Sequence, residues 1–507
     1  MQTTNEKIGN LIYRIRQERG LTQADFAKQL KTSQSAVNRI EHGRQNLSLD
    51  MLARISDALN KQIINVSNDS INLRIEGGHE LSGSITLKRS KNATVALLCA
   101  SLLNYGTTII KSAPKIEEVY RIIEVLQSIG VKISWINDSD IEIKRPLKLN
   151  LSTINEASAK KTRSVLMLLG PLMHEFNNFK IPYSGGCKLG KRTVAPHLYA
   201  LEEFGVNIDA KNDHYNVVVN KKLPKDRVVL YEAGNTVTNN ALMASAKSNG
   251  SVIIHGASAD YMVQDLCQFL NQLGVKTKFL SGSNIEVNGV PKINKRVVFT
   301  PTEDPIEAMF FISACVTTNS KLTIKRVPVD WIALELLKLQ KMGLKFHKSA
   351  RYKSDNGVTD LVDLSIEKHN GDLVALKDKL HPNLWPGINP DNIPYFVPIC
   401  GVAKGRTLIH DWIFENRVIY FTEMTKIGMN IELADPHRLY VTGPTRFTAG
   451  EVVSPPALRP ASLLLIGMLS ANGTSVLRNI YTINRGYEDI ANRLNSIGAK
   501  ITILNEI

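Results

Sequence analysis

The stretch Leu270-Asn271-Gln272-Leu273-Gly274-Val275-Lys276-Thr277 decides how this chain is read. A periodic apolar segment runs into a glycine, and a short alternating triplet follows. Glycine at that place is a helix C-cap, and the alternation after it starts a strand. The same tag returns at Leu126–Ile133, Leu201–Ile208, Leu339–Phe346, Met424–Ile431 and Leu494–Ile501. Its glycines, Gly130, Gly205, Gly274, Gly343, Gly428 and Gly498, are spaced 75, 69, 69, 85 and 70 residues apart. Upstream of a tag lies a second apolar helix, as at 92–103, 236–248 and 459–471. A turn and a β-rich stretch follow it, such as Gly106–Ile110, Gly250–Ile254 and Gly473–Leu477. A period near 70 is too long for a solenoid and suits a folding unit of βαβαββ type. Six such units make the chain from residue 71 onward α/β (α+β).

The 507 residues exceed one small module, and a 43% apolar share against 21% charged residues supplies a large core. Lys+Arg minus Asp+Glu is 62 − 47 = +15, which invites either a nucleic acid or anionic small substrates. The first 70 residues hold ten cations and seven anions, a net of +3, so +12 lies in the repeats. No apolar run approaches membrane-spanning length, and Met1–Asn10 lacks the apolar core of a signal peptide. Five scattered cysteines without a CxxC fit a reducing cytoplasm, and the eleven histidines show no metal-ligand spacing. The expectation is a cytoplasmic protein without a bound metal.

Residues 8–59 read as short helices. Ile8, Leu11, Ile12 and Ile15 form one apolar face, Thr22 caps 23–30, and 32–43 starts with capping residues and stops at Gly43. In that segment Val37 and Ile40 turn inward, leaving Gln34, Ser35, Asn38 and Arg39 outside. Leu21-Thr22-Gln23-Ala24-Asp25-Phe26-Ala27, Ser33-Gln34-Ser35-Ala36-Val37-Asn38-Arg39-Ile40-Glu41 and Gly43-Arg44 resemble the phage-repressor-like helix-turn-helix family. The resemblance implies DNA as a partner of a domain spanning 1–66. Gln34, Ser35 and Asn38 would face base edges, and Gln23 and Arg39 would approach phosphates. Such domains usually pair on two half-sites, so a dimer through DNA is an option. The oligomeric state stays open. The polar run Asn65–Ser70 reads as a linker.

Within the repeats, Lys91, Arg163 and Arg459 each begin an apolar helix. A helix N-terminus already offers unpaired N–H groups and a positive dipole end, so a cation there builds an anion site. Gly185–Lys191 fits GxxxxGK, but Arg192 stands where a phosphate-binding loop needs Ser or Thr for magnesium, and Pro196 interrupts the helix that should follow.

Several segments resemble the enolpyruvyl transferases over residues 71–507. They are Ser90-Lys91-Asn92-Ala93, Arg163 with Gly170-Pro171, Gly185-Gly186-Cys187-Lys188-Leu189-Gly190-Lys191-Arg192, Asp304-Pro305-Ile306-Glu307, Phe414-Glu415-Asn416-Arg417, Leu458-Arg459 and Asn484-Arg485-Gly486-Tyr487-Glu488. The cysteine loop is similar to the branch acting on UDP-N-acetylglucosamine. The resemblance implies two domains entered, left and re-entered: 71–90 with 301–507, and 91–300. It implies transfer of the enolpyruvyl group of phosphoenolpyruvate to the 3-hydroxyl of UDP-N-acetylglucosamine, with phosphoenolpyruvate a co-substrate and no cofactor.

Residue roles follow from the same likeness. Lys91, Arg192 and Arg485 would bind phosphoenolpyruvate, with Asn92 and Lys191 beside them. Arg163 and Arg459 would hold anionic groups, and Lys91 and Arg459 count among the catalytic residues. Cys187 would deliver the proton, and its cationic neighbours favour the thiolate that fosfomycin alkylates. Asp304 would bind the sugar hydroxyl as general base.

Other positions depart from the family. Ala195 replaces an aspartate that contacts uracil, Leu230 a lysine, Met167 a tryptophan, Ile388 a phenylalanine, Ala457 an aspartate and Arg89 a glycine. Three readings stay open: transfer to UDP-N-acetylglucosamine, transfer to another nucleotide or sugar acceptor, or a transcriptional regulator whose transferase body senses a cell-wall precursor.

Overall fold

A computed structural model describes residues 4–18, 21–45, 47, 49–59, 71–185, 193–211, 213–220 and 226–505. It divides into a smaller compact unit containing the N-terminal helices and a larger one made of Arg74–Leu477 and Thr482–Thr502.

The N-terminal helices are Thr4–Glu18, Gln23–Gln29, Gln34–Glu41 and Leu49–Ala58. Two sequence signals set their starts. The Thr22 hydroxyl accepts from Asp25 N at 3.1 Å, and the Asp25 carboxylate accepts from Thr22 N at 3.3 Å, a reciprocal capping box. The Ser33 hydroxyl accepts from Ala36 N at 3.2 Å. Ile12, Ile15, Phe26, Leu30, Val37, Ile40, Ile55 and Leu59 form the core. Gln34, Ser35, Asn38 and Arg39 are exposed on the third helix. Beneath that helix the buried guanidinium of Arg16 meets Glu41, and Gln23 Nε2 donates to the same carboxylate at 2.7 Å. Gln23, expected toward phosphate, gives one of its two amide hydrogens to Glu41. Arg39 Nε reaches Gln45 Oε1 at 3.5 Å.

The larger unit repeats one sheet plan. Thr107–Ile110 pairs antiparallel with Ile141–Lys144, which pairs antiparallel with Lys132–Trp135, while Val297–Phe299 runs parallel to Thr107–Ile110 on the other side. Ser251–His255 has the same neighbours in Asn284–Asn288, Lys276–Leu280 and parallel Arg227–Val229. Leu322–Val327 has Asp360–Ile366, Phe346–Lys348 and parallel Ser84–Thr86. Three-stranded versions are 178–182, 214–219, 206–210 and 405–410, 438–443, 430–435, and a sixth sheet has the order 451–453, 473–478, 71–77, 500–505. All six tag glycines have positive φ, and at Gly274, the C-cap of helix Tyr261–Leu273, φ is +99°. A side chain would strain that turn, so glycine ends the helix and lets Lys276–Leu280 begin.

The helices Lys91–Ala100, Pro305–Thr317, Ile393–Val402 and Leu458–Ser470 are buried almost all round. This explains why they read as continuous apolar runs and not as amphipathic stripes. One continuous core extends from Ala93 to Phe299. No helix among the described residues is long and apolar enough to cross a membrane.

Arg16→Ala would leave Glu41 buried without its cation, at a cost of about 3–5 kcal/mol. A unit of this size has roughly 3–9 kcal/mol in all. The variant is expected to lose the N-terminal helices in a separate low-temperature step of a circular-dichroism melt. Replacing both partners (Arg16→Met with Glu41→Leu) should recover most of the loss. An unchanged melt for Arg16→Ala would refute the role given to this pair.

Candidate active-site cleft

The larger unit contains a cleft of about 760 Å³. Lys91, Arg163, Arg417, Arg459 and Arg485 all line it. Three of these stand at helix starts. Lys91 is the first residue of Lys91–Ala100, Arg163 opens the 3₁₀ turn Arg163–Leu168, and Arg459 is the second residue of Leu458–Ser470. The Ser90 hydroxyl accepts from Ala93 N at 3.2 Å and caps the first helix, whereas Ala457 gives the third no side-chain cap. Arg163 Nη2 donates to Thr193 O at 2.6 Å.

A buried carboxylate, Glu118, and a half-buried one, Asp391, answer four of these cations. Glu118 accepts from Arg485 Nη2 at 3.0 Å, from Ser164 Oγ at 3.2 Å and from Thr162 Oγ1. Burial alone would raise its pKa, but Lys91 and Arg485 outweigh burial and hold it below the usual carboxylate value. Asp391 lies 3.3 Å from Arg459 Nη2 and 3.6 Å from Arg417 Nη1. Burial pushes against its charge as well, yet Arg459, Arg417 and Lys91 keep its pKa low. Arg417 is fully buried, donates Nε to Asp411 and Nη2 to Pro390 O at 2.7 Å, and lies over the Phe414 ring. Arg459 Nη1 reaches the hydroxyls of Tyr395 and Tyr487 at 3.3 and 3.1 Å.

A second acidic group occupies the same cleft. Asp260 precedes helix Tyr261–Leu273 and accepts from Asn235 Nδ2 at 3.0 Å. Burial pushes its pKa up to about 6, with Asp391 adding to the shift. Glu335 is fully buried behind it and accepts from Asn389 N at 3.1 Å and Asn392 Nδ2 at 2.8 Å. Burial raises Glu335 to about 7. Among the described residues no group of three or more His, Cys, Asp or Glu is placed to hold a metal.

Residues 75–494 match the family model for EPSP synthase (3-phosphoshikimate 1-carboxyvinyltransferase), and residues 12–64 match a helix-turn-helix model. The chain belongs to the EPSP synthase family. It is a transferase of enolpyruvyl groups with a helix-turn-helix segment at its N-terminus. A UDP-N-acetylglucosamine 1-carboxyvinyltransferase of Treponema denticola is 31% identical over 85% of this chain and 98% of its own. One of Borreliella burgdorferi is 30% identical over 84% and 97%. Among solved structures, the enolpyruvyl transferase NikO from Streptomyces tendae superposes with a TM-score of 0.73 at 20% identity, covering 86% of this chain and 99% of its own. That likeness supports the fold.

For this EPSP synthase family member, the cleft brings together Lys91, Asn92, Arg163, Arg459 and Arg485. Cys187, Lys188, Lys191 and Arg192 lie outside the described residues. Asp304 differs from expectation. It is buried as the N-cap of Pro305–Thr317, its Oδ1 accepting from Ile306 N and Glu307 N at 2.8 and 3.2 Å, and it does not line the cleft. Asp followed by Pro is an N-cap with proline at the first helical position, and that local role fits the residue. Burial raises its pKa while Arg459 opposes the shift. Asp391 lines the cleft and lies beside Arg459 and Arg417. Its signal, Asn389-Pro390-Asp391 before a buried apolar helix, was legible but carried no motif.

The departures are apolar. Met167, Leu230, Ile388 and Ala457 are buried, and Ala195 is half-buried at the start of helix Ala195–Glu202. Arg89 is buried and paired with Glu303 and Asp355.

Glu335 supplies a pH test. Its folded-state pKa is raised from about 4.5 to about 7. Its contribution to stability is therefore fully present below pH ~4.5 and lost as pH rises through 7, a loss of up to ~3 kcal/mol. Glu335→Gln keeps the acceptor oxygen and removes the titration. Thermal melts should show the variant gaining on the wild type from pH ~4.5 to ~7, with the difference constant above that. Parallel curves would contradict a protonated Glu335.

Proposed function

We propose that the larger unit transfers the enolpyruvyl group of phosphoenolpyruvate to the 3-hydroxyl of UDP-N-acetylglucosamine, a step of peptidoglycan precursor synthesis, and that the smaller unit binds DNA. The observation that carries the first part is the convergence of Lys91, Arg459 and Arg485 on a cleft that also presents an ionised Asp391. Phosphoenolpyruvate carries about −3 and a UDP group about −2, and a preorganised cationic cleft is what such substrates need. The names of the Treponema and Borreliella relatives support this acceptor.

The reaction joins the hydroxyl oxygen to C2 of phosphoenolpyruvate while a proton is added at C3. A C3 proton then leaves and phosphate departs, restoring the double bond. Lys91 and Arg485 hold the phosphoenolpyruvate anion. Asp391, kept ionised by Arg459 and Arg417, accepts the hydroxyl proton in place of Asp304. Cys187, by resemblance, delivers the proton to C3 and takes up fosfomycin. A second reading, transfer to a different nucleotide or sugar acceptor, is favoured by the apolar Met167, Leu230 and Ile388 where the family reads the nucleotide.

Phosphate release from phosphoenolpyruvate and UDP-N-acetylglucosamine tests the proposal. Cys187→Ser should abolish or greatly reduce it, and Asp391→Asn should lower kcat by about 10²–10⁴. Asp304→Asn keeps an N-cap oxygen and should stay within about tenfold of wild type. Release with another nucleotide sugar alone would transfer the assignment to the second reading. For the smaller unit, a footprint on selected DNA should be weakened by Asn38→Ala and Gln34→Ala. Equal affinity for random DNA would remove the sequence-reading role.

A further inference from the structure

Helix Asn235–Ser245 starts at the cleft with the exposed Thr236 and carries the fully buried Asn240 one turn further on. Asn240 is fixed on three sides. Its Oδ1 accepts from Gly170 N at 3.1 Å, and its Nδ2 donates to Leu166 O at 2.8 Å and lies 2.9 Å from His197 Nδ1. A backbone N–H can only donate and a carbonyl can only accept, so the amide cannot be turned over. Gly170 keeps the approach close, because a Cβ there would lie 2.8 Å from Asn240 O and 3.1 Å from its Oδ1.

The rest follows by elimination. Asn240 Nδ2 is a donor, so His197 Nδ1 must offer its lone pair to it. The proton of the neutral ring then sits on Nε2. His197 is buried, and Nε2 lies 3.3 Å from Thr236 Oγ1. Nε2–H can donate to the Thr236 oxygen, and a protonated Nε2 cannot accept from the Thr236 hydroxyl. The Thr236 hydroxyl hydrogen is thus kept off the ring and available to the cleft, which Thr236 lines together with His197 and Arg163.

We infer that Gly170, Asn240 and His197 form a proton-orienting relay that keeps the Thr236 hydroxyl hydrogen off the ring and available to donate to an oxygen of the acceptor substrate. Asn240 and His197 are positioning residues, and Thr236 is the contact. The inference rests on the acceptor proposed above, a nucleotide sugar. It explains how this cleft keeps a directed polar contact beside the apolar Met167. An unoriented hydroxyl could equally accept, and would then discriminate less between an oxygen and a donor group on the ligand.

The test uses the full chain with UDP-N-acetylglucosamine as the probe. Thr236→Val should weaken its binding about fivefold by calorimetry and leave KM for phosphoenolpyruvate within about twofold, while Thr236→Ser stays within about twofold on both. Asn240→Asp places a carboxylate oxygen against His197 Nδ1, draws the proton there and makes Nε2 an acceptor. Thr236 must then donate to the ring. This variant should lose as much affinity as Thr236→Val, and the double variant no more than either. Ring-nitrogen NMR of His197 should show the Nε2–H form in wild type and a change in Asn240→Asp. Wild-type affinity in Thr236→Val, or an Nδ1–H ring in the wild type, would overturn the relay. If the wild type fails to bind this sugar at all, the acceptor assignment falls, and the histidine spectrum alone decides the relay.

Discussion

The larger unit depends on holding five cations in one cleft without substrate. Lys91, Arg163, Arg417, Arg459 and Arg485 come from segments up to about 400 residues apart, and like charges at close range repel. The solution is two carboxylates, the buried Glu118 and the half-buried Asp391. Glu118 answers Lys91 and Arg485, and Asp391 answers Arg459 and Arg417. Each carboxylate is ionised because of its cations, and those four cations are held in turn, while Arg163 is held by Thr193 O. An entering anion finds the guanidinium groups already aimed, so little reorganisation is left to the reaction itself. The repeat supplies the geometry, since helix starts from different units open on the same cleft.

Much of this was legible from one short tag. The six glycines located six helix ends, and each is followed by a strand, because a positive-φ cap is a local requirement that tertiary packing does not override. Lys91, Arg163 and Arg459 were legible because a cation at the start of an apolar helix has few other uses, and Arg485 only through the family segment Asn484–Glu488. The carboxylates were not. Glu117 and Glu118 stand side by side at a helix start, and only packing decides that the second is buried against Thr162 and Arg485. The Asp304 motif is a capping signal as well as a family segment, so residue types alone do not separate the two roles. Glu335 and Asp260 take their raised pKa values from burial, which no pattern of residue types announces.

The substituted positions show how an altered residue is absorbed. Arg89 lies in a segment bonded to 302–304, with Ser90 N donating to Thr302 O at 2.8 Å and Asp304 N to Lys88 O at 2.9 Å. A lone buried guanidinium there would be costly. Glu303 accepts from Arg89, from Arg326 Nε at 2.9 Å and from Ser354 Oγ at 2.8 Å, and Asp355 accepts from both arginines. Two cations and two carboxylates thus close a network around this pair of segments. Breaking any one member exposes the others' charges, so the four positions are coupled and must change together.

Charge also separates the two activities assigned to one polypeptide. The first 70 residues carry +3, and two of their polar groups, Arg16 and Gln23, are committed to Glu41. The third helix therefore presents mostly neutral donors and acceptors, Gln34, Ser35 and Asn38, with Arg39 beside them. Affinity for a duplex comes largely from phosphate neutralisation, whereas base reading comes from such neutral side chains. On the proposed DNA-binding reading, a unit built this way would discriminate better than it holds. It would gain enough total affinity only with two copies on two half-sites, which would place the demand on pairing and not on added charge. The +12 of the remaining chain is free to serve anionic substrates, and most of the overall basicity lies in the transferase and not in the N-terminal unit.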